Sequence, residues 1–397
     1  MGGNCFNLEL NLKITDINTI SFQVPRDRRA TRWGYAEWNP DLPSSPMRIL
    51  KITTDAGHVG YDTYGIAYGT FAPPQSVVDN LIKPLLIGED PLNRELLWQW
   101  MTNHKGLSEG VVGSIDSALW DLLGRMADVP VYKLLGGYRD RVLAYCSTAP
   151  NLGSPEVYAQ HALEAKARGY KAFKVHAYIY WNPHTNEPAP GKPAFPEEDL
   201  EVCRAVREAV GDDMVLMHDP WGVYTLQESI HVARELEKLN YYWLEHPMDE
   251  RRMEAYIELS RSVDIPILAP ELEPGSAYTR ASWIRSRASG MGRIDVRQGG
   301  IVAAMKTVHL YEAFGQQCEI HGGGYGNLAV LGATSEETCK YYERGLTLPG
   351  VDRDIAPDYL LEPCDPLDDE GYVQIPQGPG LGIKLNWDYI NDNLAND

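Results

Sequence analysis

Three acidic residues recur at one interval in the middle of this chain: Asp219 in VLMHDP, Glu245 in YWLEHP and Glu271 in ILAPEL, twenty-six residues apart each time. Each stands at the end of a short apolar run, and the stretch to the next has room for one helix, so the interval is a repeating strand-plus-helix unit. In a (β/α)8 barrel the C-terminal ends of the strands share one rim, which brings three carboxylates from consecutive strands to one point. Carboxylates that close repel one another unless a hard cation lies between them. A donor set of oxygens without cysteine suits Mg²⁺ rather than Zn²⁺.

The repeat extends well beyond the triplet. From Arg141 onward eight strand-like runs follow one another: VLAYCSTA, KAFKVHAY, MVLMHDP, YYWLEHP, IPILAPE, GRIDVRQ, QQCEIHG and CKYYERG. Between them lie segments such as PEVYAQHALEAKARG and LQESIHVARELEKLN, with helical apolar spacing and the length of a barrel helix. A barrel of about 250 residues leaves room for a second unit in a chain of 397. Residues 10–65 alternate as strands, with Asp55-Ala56-Gly57 as a turn, and 75–136 turn helical. The division is therefore an α+β domain over 1–140, the barrel over 141–347, and a Pro- and Gly-rich tail over 348–397 that returns to the first domain. PRDRRATRWGYAEWNPDLPSSP, between the first two strands, is expected to be a long loop whose Arg and Trp residues suit a lid over an anionic ligand.

With the strands set out, the polar residues collect where barrel chemistry is done. Strand two ends with Lys174 and His176, which alternate by two and share a face. Asp295 on strand six and His321 at the end of strand seven can form a carboxylate–histidine pair, in which the acid fixes the tautomer and raises the basicity of the ring. Lys174 suits binding a carboxylate or stabilising developing charge, with neutralisation of a buried acid as the simpler alternative. Glu271 is preferred over Glu273 as the third ligand because it ends the strand. His218 and His246 are expected to face away from their acidic neighbours, and HGGGYGN lacks the final glycine of a dinucleotide fingerprint. A net charge of −19 argues against nucleic acid or an anionic membrane as partner, and no stretch approaches a membrane span. Six scattered Cys without a C-x-x-C pair, and no apolar leader, point to a reducing cytoplasm.

These residues together resemble the enolase superfamily, and within it the mandelate racemase-like group. The resemblance runs through SIDSALWDLLGRMADVPVYKLLGG at the domain junction, the three strand-end acids and the His321–Asp295 dyad. It implies a modified barrel with an N-terminal α+β capping domain, one Mg²⁺ per subunit on Asp219, Glu245 and Glu271, and a homo-oligomer. It also implies an acidic electrophile at Glu343 and substrate contacts from the cap at Arg26, Trp38 and Tyr64. Lys174-Val175-His176 departs from the group's usual Lys-x-Lys. The expected reaction is removal of the proton beside a sugar-acid carboxylate, then loss of water to a 2-keto-3-deoxy acid. A cycloisomerase or epimerase using the same ene-diolate is the alternative, and a non-catalytic sugar-acid binding protein a remote one.

Overall fold

A computed structural model describes residues 12–31, 34–62, 72–351 and 354–395, with backbone alone at 26–31, 34–43 and 45. The chain opens with an antiparallel sheet of β1 (Ile14–Thr31), β2 (Gly34–Thr54) and β3 (Val59–Asp62), in the order β1-β2-β3. The segment expected to be a lid loop is instead the far end of the β1–β2 hairpin, whose pairing runs out to Thr31↔Gly34. Its prolines disguise it. They are absorbed by register shifts between Val24, Arg26, Arg28 and Ala30, and a bulged edge tolerates residues that a regular ladder rejects.

Two helices cover this sheet, α1 (Arg94–Asn103) and α2 (Glu109–Ala127). Ser108 caps α2, whose buried Ile115, Ala118, Leu119 and Leu122 pack with Ile17, Leu50 and Ile52 of the strands. Helix and sheet approach so closely that a Cβ on Gly60 would lie 2.2 Å from the Ala118 carbonyl oxygen. On its other side α2 faces the barrel. Asp116 takes a 2.6 Å hydrogen bond from Arg94 and one from the Val302 N–H (3.1 Å), at the start of a barrel helix.

The barrel strands are β4 (Arg141–Thr148), β5 (Ala172–Val175), β6 (Val215–His218), β7 (Trp243–Glu245), β8 (Ile267–Leu268), β9 (Gly292–Ile294), β10 (Cys318–Ile320) and β11 (Tyr341–Thr347). Parallel ladders join β8-β7-β6-β5-β4-β11 and, separately, β9-β10. One bridge, Leu268↔Met291, spans the gap before β9. At the gap between β10 and β11 a side chain takes over: the Glu319 carboxylate accepts the N–H groups of Lys340 (3.2 Å) and Tyr341 (3.0 Å). Inside the barrel, below the rim, Tyr145, Ala172, Met217, Trp243, Leu268, Met291 and Tyr341 form a dry floor. Beyond β11 the chain adds β12 (Tyr372–Gln374) antiparallel to β4, then pairs Leu394 with Phe22 of the first sheet. Among the described residues no helix is long and apolar enough to cross a membrane.

Candidate metal centre and active site

The floor and the rim are two steps of the same strands. Side chains on a strand alternate, so the residue two beyond a floor residue again points inward, one layer higher. Met217 is followed in this way by Asp219, Trp243 by Glu245, Ala172 by Lys174, Met291 by Arg293 and Tyr341 by Glu343. Glu271 lies three beyond Leu268 because β8 has already ended. Asp219, Glu245 and Glu271 are all buried, and one carboxylate oxygen from each lies within 4.8 Å of the others. Glu273 is not part of this group. Oxygens about a Mg²⁺ ion at its usual 2.0–2.1 Å stand roughly 3–4 Å apart, so the triad needs only a small contraction to hold a hard cation.

Cations of the chain itself surround the three acids. The Lys174 ammonium reaches Asp219 Oδ2 (3.2 Å), Glu245 Oε2 (2.9 Å) and Glu343 Oε1 (3.0 Å), so Lys174 neutralises buried acids. Arg293, fully buried, joins Glu245 Oε1 (2.7 Å) to Glu343 Oε2 (2.6 Å). His176 sets Nδ1 on the Thr148 carbonyl (2.8 Å) and Nε2 on Asp219 Oδ2 (2.9 Å). Burial would raise the Asp219 carboxyl, but His176 and Lys174 hold it well below the ordinary carboxylate range. Glu343 is likewise held down against burial by Lys174 and Arg293.

Glu271 is gripped by two imidazoles, His321 Nε2 at 3.0 Å on one oxygen and His246 Nδ1 at 3.2 Å on the other. Against the pull of burial they keep its pKa at about 2. His246 corrects the expectation from alternation. It sits just past β7 with φ of 39°, so the period of two no longer applies and its ring turns toward the site. His218 does face away, onto the Tyr224 hydroxyl (3.0 Å). Glu250 fixes the same corner by accepting the backbone N–H groups of Glu271 (2.5 Å) and Leu272 (2.6 Å).

His321 Nδ1 meets Asp295 Oδ2 at 2.9 Å. Burial would depress the ring, yet Glu271, opposed by Arg297, and the hydrogen bond to Asp295 turn the net shift upward. Arg297 donates to both oxygens of Asp295, including the Oδ2 that faces His321, and lies 2.6 Å from His321 Nδ1. A guanidinium can only donate, so a ring that gives its Nδ1 proton to Asp295 gains nothing from it. The dyad contact is the one that fits a protonated ring.

The structure thus brings together Lys174, His176, Asp219, Glu245, Glu271, Asp295, His321 and Glu343 at the rim. The side chains of Arg26 and Trp38 lie outside the described residues, as does Tyr64 altogether.

An enolase C-terminal domain-like family model matches residues 157–389, and the model of the mandelate racemase / muconate lactonizing enzyme N-terminal domain matches residues 42–136. The chain belongs to the mandelate racemase / muconate lactonizing enzyme family of the enolase superfamily. Its similarity to D-glucarate dehydratase from Agrobacterium tumefaciens, solved with magnesium, is 37% identity and a TM-score of 0.86 over 96% of this chain and 99% of the other. Arabinonate dehydratase from Saccharolobus solfataricus is 30% identical over 87% of this chain and 90% of its own. D-galactarolactone cycloisomerase from Agrobacterium fabrum is 28% identical over the same shares. Within this family setting two residues escape a reading of strand ends alone. Arg293 precedes Asp295 by two and shares its inward face, a signal that alternation does carry. Arg297 stands past β9, and only the bend of the chain returns it to Asp295.

Proposed function

We propose that the protein is a Mg²⁺-dependent dehydratase of sugar acids, with one cation per subunit. The observation that carries this reading is the buried triad of Asp219, Glu245 and Glu271 with the His321–Asp295 pair directly against it. A divalent cation held there supplies Lewis-acid polarisation of the substrate carboxylate and lowers the pKa of the carbon acid beside it. His321 takes the α-proton at Nε2, while Asp295 holds the opposite ring nitrogen and stabilises the imidazolium that results. Lys174 stands on the carboxylate oxygens of the triad and meets the charge that builds up on the ene-diolate. Glu343, itself held by Arg293, keeps that ammonium in place. His176, fixed by the Thr148 carbonyl and set against Asp219, donates the proton with which the 3-hydroxyl leaves as water. The enol that remains becomes a 2-keto-3-deoxy acid.

Sugar diacids are our first choice of substrate. The similarity to D-glucarate dehydratase supports this, and so do the arginines that the β1–β2 hairpin carries at its far end. The test is a panel of aldaric and aldonic acids with Mg²⁺-loaded protein, read as 2-keto acid; a diacid turned over to a keto acid supports the reading, and no keto acid from any member contradicts it. The likeness to D-galactarolactone cycloisomerase favours a second reading, in which the same ene-diolate rearranges instead of losing water. Product mass separates the two, since an isomer keeps the mass of its substrate.

A further inference from the structure

HGGGYGN, the run that begins with His321 just after β10, is a tightly held turn. His321 lies one residue beyond the strand, tied to the ladder by the bond from its N–H to the Ile294 carbonyl (2.7 Å). Gly322 and Gly324 follow with φ of 71° and 129°, backbone that side chains resist. The turn then enters α3 (Tyr325–Gly332).

Three side chains clamp this turn. The Gly322 N–H donates to Glu343 Oε2 (2.7 Å) and the Gly324 N–H to the Tyr342 hydroxyl (2.8 Å). Asn327, fully buried in the first turn of α3, donates both amide hydrogens back to the turn, to the carbonyls of His321 (2.8 Å) and Gly322 (2.7 Å). A Cβ on Gly323 would come within 2.6 Å of the Tyr342 hydroxyl, so the turn lies against β11 without slack. Glu343 also serves Lys174 and Arg293, and Tyr342 also donates to Asp365 (2.8 Å). The hydrogen bonds of the Asn327 side chain go to this turn alone; its Oδ1 accepts none among the described residues.

We propose that Asn327 is a positioning residue for proton transfer at His321. By holding two successive carbonyls it fixes both peptide planes that follow His321, and with them the direction in which the imidazole leaves the backbone toward the triad. The assignment rests on the reading of His321 as the base. A base displaced by about 1 Å costs roughly 100-fold in rate while substrate binding survives, so the effect belongs in kcat.

Asn327→Leu keeps the shape and removes both bonds. With the substrate found in the panel, kcat is expected to fall about 10- to 100-fold with KM and calorimetric Mg²⁺ affinity within about twofold of the wild type. The isotope effect on kcat with α-deuterated substrate should rise, which loss of folded protein alone does not produce. An unchanged kcat, or a kcat that falls together with Mg²⁺ affinity, overturns the proposal. If Asn327→Leu does not fold, Tyr342→Phe decides: it removes the acceptor of the Gly324 N–H, together with the bond that hydroxyl gives to Asp365, and the same split at about 3- to 10-fold is expected. Full kcat in that variant overturns the proposal. His321→Asn keeps the two readings apart. Should it retain turnover, the base assignment falls and this proposal with it; should it be inactive while Asn327→Leu keeps full kcat, the positioning role alone falls.

Discussion

The rim and the floor of the barrel are built by the same strands, two residues apart, yet two of their buried carboxylates, Glu271 and Glu319, are treated in opposite ways. At the rim Glu271, between His246 and His321, is held at about 2 and stays charged. Toward the floor Glu319, two residues before His321 on the same strand, is pushed by burial up to about 7, with only backbone hydrogen bonds and more distant arginines to oppose the shift. Cations outweigh burial at Asp219, Glu271 and Glu343. At Glu245 burial outweighs Arg293 and Lys174 and raises the carboxyl, and at Glu319 burial outweighs the backbone hydrogen bonds and drives it toward its neutral form. The floor packs Tyr145, Trp243 and Tyr341 edge to edge at centroid distances of 5.8 to 6.3 Å. The lesson is a division of labour along the strand axis: packing in one layer, charge in the next.

Removing a rim acid should break that division most severely. Asp219→Asn is expected to lower turnover by about 10³-fold or more and to abolish Mg²⁺ binding by calorimetry, with the melting temperature lowered because His176 and Lys174 lose the charge they pair with. Arg293→Met attacks the boundary between the layers. It leaves Glu245 and Glu343 without their shared partner, and uncompensated buried charge costs about 3–5 kcal/mol, measurable by urea unfolding; a loss below about 1 kcal/mol would mean that Lys174 alone suffices. On the floor, Tyr341→Leu should cost about 2–3 kcal/mol of stability and leave kcat within about twofold, since its ring packs on Tyr145 and Trp243 of the barrel interior and on Tyr242. A large loss of kcat there would show that the layers are not separable.

The smallest effect is one of pH. The folded-state pKa of Glu319 is raised to about 7 from an ordinary 4.5, so between those values the folded chain holds a proton that the unfolded chain has released. Stability therefore falls as the pH rises through that window and levels off above it. Relative to Glu319→Gln, the wild type should lose on the order of 2 kcal/mol between pH 4.5 and 7 in denaturant unfolding. A difference that grows in the other direction would place Glu319 among the charged residues.

How much of this can be read from sequence follows from the same geometry. The period of two and the even spacing of the acids expose Lys174, His176, Asp219, Glu245, Asp295 and Glu343, all of which still obey strand alternation. Arg293 obeys it too but stands two residues short of Asp295, the position that a reading of strand ends picks out. Alternation fails where the backbone leaves the strand: at His246, whose positive φ turns it back into the site, and at Arg297, returned by a bend. Asn327 gives no local signal of its role, because its partners are main-chain carbonyls. The β1–β2 hairpin is hidden for another reason, since its prolines and bulges imitate the chemistry of a loop.

The central claim is that a divalent cation on Asp219, Glu245 and Glu271 makes the carbon acid strong enough to yield its proton to His321. The direct measurement follows release to water of the α-deuteron of a labelled substrate by NMR, with Mg²⁺-loaded protein, chelator-stripped protein and loaded His321→Asn. Release from the loaded wild type alone is expected. Release that persists after stripping, or in the His321 variant, would contradict the account.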